Sequence, residues 1–178
     1  MEREFGRRRI VAETRDNATV VRDLFEAFNS HNLDRASAMV TEDFELTDFA
    51  AEGQTFRGPE GLRQWFQTFL TALPDARTEL INVVAADEWV FSEHVGRGTH
   101  TGPLVGSSGE LPPTGRTIEL RIGEVYRIEV GKIALMHAYY DGATMMRQLG
   151  VFPPRPEVLA RILIHQTKKL RSRIRQRR

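Results

Sequence analysis

TIELRIGEVYRIEVGKIALMHAYY, residues 117–140, alternates apolar and polar side chains up to Val130-Gly131 and continues beyond it as an apolar-rich run. A period of two marks β-strands, and a two-residue connection containing glycine is the signature of a hairpin. Placing Glu129 opposite Lys132 predicts Glu124 opposite His137, Ile122 opposite Tyr139 and Leu120 opposite Asp141. Side chains point to alternate faces, so one face carries Leu120, Ile122, Glu124, Tyr126 and Ile128 with Ile133, Leu135, His137, Tyr139 and Asp141. The other carries Val125 with Ala134, Met136, Ala138 and Tyr140 among polar residues. Because that second face is also partly apolar, the outside of the sheet is expected to be covered, most economically by a second copy of the chain.

Working outward, strands are expected over 77–86 and 88–101, upstream of a loop-like connection with Ser107-Ser108-Gly109 and Pro112-Pro113. Before them the period changes to that of helices. Val20, Val21, Leu24, Phe25 and Phe28 share a face over 17–30, and a short helix is expected over 33–40. A strand-like run then covers Phe44–Phe49. Gly58-Pro59 opens the strongest helix, with Leu62, Trp65, Phe66, Phe69, Leu70 and Leu73 in register and Pro74 ending it. After the hairpin a short helix is expected over Ala143–Leu149 and a last one over 156–174. Helices followed by a curved antiparallel sheet give an α+β domain whose helices cover one sheet face around a pocket.

The chain has 178 residues, 40% of them hydrophobic and 28% charged, which suits one domain with a true core. The expected organisation is an N-terminal extension over 1–16, the α+β domain over 17–154 and a basic C-terminal helix over 155–178. Cysteine is absent, excluding disulfides, thiolate metal sites and a cysteine nucleophile, and a reducing cytoplasm suits such a chain. No membrane span or signal peptide is expected. Residues 155–178 hold nine Lys or Arg and one acid, Glu157, whereas the remaining residues hold 16 basic and 23 acidic groups. Such a tail is expected to stay solvated or to dock on the acidic body. Contact with nucleic acid or an anionic membrane is the less favoured expectation, and the tail has no aromatics for stacking on bases.

Ionisable groups on a largely apolar wall point to a site, since burying them is costly unless they are paired. On the hairpin these are Glu124, His137 and Asp141; the neighbouring strand adds His94 and His100 if Val90, Ser92, His94, Gly96 and Gly98 face inward. Carboxyl and imidazole groups in such a place suit proton transfer near neutral pH. The alternative for the same residues is a cross-strand Glu124–His137 pair that stabilises the sheet, with Asp141 capping the helix after it. No HxH, HxxxH or HExxH spacing supports a metal site, and no cofactor is expected.

Several segments resemble the SnoaL-like polyketide cyclases of the nuclear transport factor 2-like fold. They are Phe25–Asp34, Phe56–Leu62, Arg97–Gly102, Pro112–Arg116, Val130–Ile133, Asp141 and Met145–Gly150, in order over about 17–151. The resemblance implies a cone-shaped α+β barrel with a deep pocket, dimeric through its sheet. It also implies intramolecular aldol condensation of a polyketide without metal or Schiff base. By that likeness Asp141 is the acid/base and His137 assists it. By the same likeness Glu124, His100 and Tyr126 are expected to position or polarise substrate, and His94, Tyr139 and, from the long helix, Trp65 are further candidates to contact it. A hydrolase or isomerase on the same fold, or a non-catalytic small-molecule-binding module, is the alternative.

Overall fold

The computed structural model describes residues 17–106, 109–153 and 155–175. The expected extension over 1–16 lies outside them. Helix α1 (17–29) and helix α2 (Leu33–Ala38) lead into strand β1 (Val40–Asp48), a turn and strand β2 (Gln54–Arg57). Helix α3 (Gly58–Ala72) follows, then strands β3 (Arg77–Ala86) and β4 (Trp89–Thr99). A small hairpin, β5 (Leu104–Gly106) with β6 (Gly109–Leu111), occupies part of the stretch expected to be loop. Strands β7 (Thr117–Glu129) and β8 (Lys132–Tyr140) and helices α4 (Gly142–Gln148) and α5 (Pro156–Arg175) complete the chain.

Six strands form one sheet in the order β2-β1-β8-β7-β4-β3. Every pairing is antiparallel except β1 with β8, so the sheet is mixed. The curved sheet, its covering helices and the C-terminal helix make up the cone expected of the nuclear transport factor 2-like fold. α1 and α3 lie across the inner face and bury Val21, Leu24, Phe25 and Phe28 with Leu62, Trp65 and Phe66, the residues that share the helical spacing. Pro59 occupies the first turn of α3, where its missing N–H costs nothing. After β4 the chain crosses the end of α3 so closely that a Cβ on Gly102 would lie 1.8 Å from the Thr71 carbonyl oxygen. Only glycine fits there.

Val130 and Gly131 form the expected two-residue turn, both with positive φ, 49° and 74°. Glu129 pairs with Lys132 and Ile128 with Ile133, as the spacing predicts. The ladder then slips: Arg127 pairs with Leu135, Val125 with His137 and Glu124 with Ala138. Ala134 is the extra residue of a β-bulge, and Ile133 and Ala134 are buried in succession. One residue of slip exchanges the two faces of a strand. Beyond the bulge, therefore, Met136, Ala138 and Tyr140 join the inner face of the sheet, and His137 and Tyr139 turn outward.

Candidate functional site

A cavity of about 90 Å³ lies between α1, α3 and the inner sheet face. Phe25, Phe28, Trp65, Phe66 and Phe69 wall its helix side, and Leu120, Ile122 and Met136 its sheet side. It reaches the surface beside Arg77 and Arg97, which pair across β3 and β4. Aromatic spacing on the helices and alternation on the strands thus produce a dry chamber of the kind that binds an apolar ligand.

Glu124 of β7 stands in this wall and is only 4% exposed. Burial pushes its carboxyl up to about 7 and the negative charge of Asp48 pushes the same way, whereas hydrogen bonds from Tyr126 and Ser92 oppose them. The Tyr126 hydroxyl donates to Glu124 Oε2, and Ser92, opposite Glu124 on β4, is fully buried beside them. His94 of β4 brings Nδ1 to 3.8 Å from Glu124 Oε2 and sets its ring edge-on to Phe25 at 4.6 Å. Burial pushes this imidazole down to about 4. Burial favours the neutral form of both groups, so their approach is that of a proton-transfer group beside a neutral imidazole rather than a fixed ion pair. His94 Nδ1 is buried and has no hydrogen-bond partner among the described residues.

A second buried carboxylate backs the chamber. Asp48, at the end of β1, accepts from Trp65 Nε1 and the Tyr140 hydroxyl, each at 3.0 Å on Oδ2, and from the Ala50 and Ala51 amides at 3.1 Å on Oδ1. Trp65 and Tyr140 both line the cavity, so Asp48 fixes two of its walls. The sequence expectation omitted Asp48 and Tyr140. Phe44, Leu46 and Asp48 alternate inward along β1, and an apolar alternation ending on Asp was the available signal. Tyr140 was hidden by the bulge.

Of the expected site residues, Glu124, His94, Tyr126 and Trp65 meet at the cavity. The other four are placed elsewhere, which corrects the expectation that they share it. His137 is on the outer face, edge-on to Phe49 at 5.3 Å, and Tyr139 stacks on Phe49 at 4.9 Å, both turned out by the bulge. Asp141 has a side chain 60% exposed and caps α4, accepting from the Thr144 amide at 2.9 Å and from the Thr144 hydroxyl, with Arg147 at 3.4 Å. Those bonds from Thr144 hold its carboxyl below the usual range, which fits a helix cap rather than an acid of neutral pH. His100 follows the last residue of β4 and is fully buried outside the cavity, its Nδ1 accepting from the Thr114 amide at 3.2 Å. It fastens the segment before β7 to the end of β4. Among the described residues no three His, Asp or Glu side chains gather as a metal set.

The model of the SnoaL-like polyketide cyclase family matches residues 18–149, the span that builds the helices, sheet and cavity. The chain belongs to this family. Among solved structures, IdmH of Streptomyces antibioticus, a proposed polyketide cyclase, is 30% identical, with 76% of this chain and 99% of IdmH covered at a TM-score of 0.62. A proposed SnoaL-like polyketide cyclase from Jannaschia sp. CCS1 is 18% identical, with 77% and 93% covered at a TM-score of 0.69. AclR of Streptomyces galilaeus, a proposed hydroxylase, is 19% identical, with 84% and 94% covered at 0.67, and at this identity the likeness is one of fold. None of the curated proteins matches the chain. In this SnoaL-like protein the family's match ends before α5, so the basic helix stands outside it.

Proposed function

We propose that this SnoaL-like protein is a cofactor-independent acid/base enzyme acting on an apolar carbonyl compound, with Glu124 as the group that moves the proton. The observation that carries this reading is a carboxyl group buried in the wall of an aromatic-lined cavity, raised to about 7 and flanked by Tyr126 and His94. Ionised Glu124 takes a proton from the carbon next to a substrate carbonyl, and the C–H electron pair becomes the enolate. In a cyclisation the enolate carbon attacks a second carbonyl of the same molecule. A C–C bond forms, and Glu124 returns its proton to the resulting alkoxide. In an isomerisation the proton goes back to a different carbon. Either way no electrons enter or leave and the carboxylate is regenerated.

The remaining groups have distinct parts. Tyr126 holds Glu124 in place with its hydroxyl proton, and Trp65 and Tyr140 have theirs committed to Asp48. His94, with its partnerless nitrogen, is the group left to polarise the carbonyl oxygen. Asp141 sits outside this chemistry, as the cap of α4. We also propose that the protein works as a homodimer through the outer sheet face.

Exchange of α-protons for solvent deuterium in a series of apolar ketones, followed by NMR, tests the assignment without the natural substrate. The parent protein catalyses exchange. Glu124→Gln loses about 100-fold or more, the usual scale for a general acid/base, and Asp141→Asn stays close to the parent. Loss in Asp141→Asn with activity kept in Glu124→Gln would reverse the assignment, and absence of exchange in the parent would remove it.

A further inference from the structure

We infer that α5 is a docking element for an anionic lipid membrane. The helix is fastened to the body along one side. Val158 is buried, Arg161 donates to the Thr114 carbonyl at 2.8 Å, and His165 Nε2 lies 2.8 Å from Glu110 Oε1. That attachment leaves Leu159, Leu163 and Ile164 exposed at 43%, 61% and 54%, with Leu159 and Leu163 one turn apart. Further along, the sequence places Leu170 and Ile174 at intervals that continue the same helical period. The charge of the segment is almost all positive, with nine Lys or Arg and one acid over 155–178.

Charge and apolarity together select the occupant. A second copy of α5 would bring cation against cation, and the protein's own acidic body already meets the opposite side of the helix. Nucleic acid would neutralise the Lys and Arg residues and leave the leucines in water, and the segment offers no Phe, Tyr or Trp to stack on a base. An anionic bilayer meets both needs, since aliphatic side chains enter the acyl boundary and Lys and Arg reach the headgroup phosphates. The body, with 23 acids against 16 bases outside this segment, is repelled by the same surface. Only the helix then engages, and the body is held off the bilayer.

The test is co-sedimentation of the full chain with phosphatidylcholine vesicles and with equimolar phosphatidylcholine–phosphatidylglycerol vesicles, at low and high salt. The expected result is binding about tenfold or more tighter to the anionic vesicles, weakened by salt. Leu159→Ser combined with Leu163→Ser should lower that binding by about tenfold and leave thermal unfolding unchanged, because neither side chain is buried in the body. Failure of the parent to bind anionic vesicles would overturn the inference. So would unchanged vesicle binding in the double variant, or salt-sensitive binding confined to duplex DNA. None of these readings depends on enzymatic activity, so this inference and the proposed chemistry stand or fall separately.

Discussion

Glu124 and His94 are displaced in opposite directions by the same burial, and the two displacements leave a signature in stability. The folded protein binds the Glu124 proton more tightly than the unfolded chain does, because 4.5 becomes about 7. The stability this contributes is complete below about 4.5 and is lost as pH rises through about 7. The folded protein binds the His94 proton more weakly, because 6.5 becomes about 4. That contribution is present above 6.5 and is lost as pH falls through about 4. Each effect is on the order of 3 kcal/mol across its window, and between roughly pH 4.5 and 6.5 they oppose each other. Urea unfolding should therefore show that Glu124→Gln becomes more stable as pH rises from 4.5 to 6.5, whereas His94→Phe becomes less stable over the same range. The parent should lie flatter than either. Variants that both follow the parent would mean the pair is solvated. These two residues were legible in the sequence, since both lie on strands whose alternation is regular up to the site.

The element that defeated the simple alternation is β8. Up to Ile133 the hairpin obeys it, and Ala134 then adds one residue, so every side chain beyond is reassigned. The run Ile133-Ala134-Leu135-Met136 is apolar throughout, so it carries no alternation from which the slip could be read. That is why His137 and Tyr139 were expected inside and Tyr140 outside. The long helix α3 and strands β3, β4 and β7 fell close to where periodicity put them, whereas β1 starts earlier than expected, at Val40, and β5 and β6 lie in the stretch expected to be loop. The short β2 was missed, having one buried residue, Phe56, among four. Asp141 is decided by its element as well. It lies between β8 and α4 as the N-cap of the helix, and its carboxylate satisfies the Thr144 amide. Asp141→Ala should cost about 1 kcal/mol in chemical unfolding, the usual worth of an N-cap, with exchange activity retained. A large loss of activity with unchanged stability would contradict the cap.

At the scale of the whole molecule, the corrected register also changes the outer face of the sheet. Val84, Phe91, Val125 and His137 lie in one cross-strand row, and Phe49 and Tyr139 stack beside it. Val84, Phe91, Phe49 and Tyr139 are among the most exposed large apolar residues of the described chain. If a second copy covers this face, light scattering should report a dimer that Phe91→Asp converts to a monomer, and a monomeric parent would contradict it. The inner face serves a different end, since α1, α3 and the sheet together bury the Glu124 carboxyl in the wall of an apolar cavity. Carboxyl ¹³C NMR of the intact protein, with Glu124 identified by its disappearance in Glu124→Gln, tests that claim most directly. A titration centred near 7 is expected; a midpoint at an ordinary glutamate value of about 4.3 would contradict the buried, raised carboxyl.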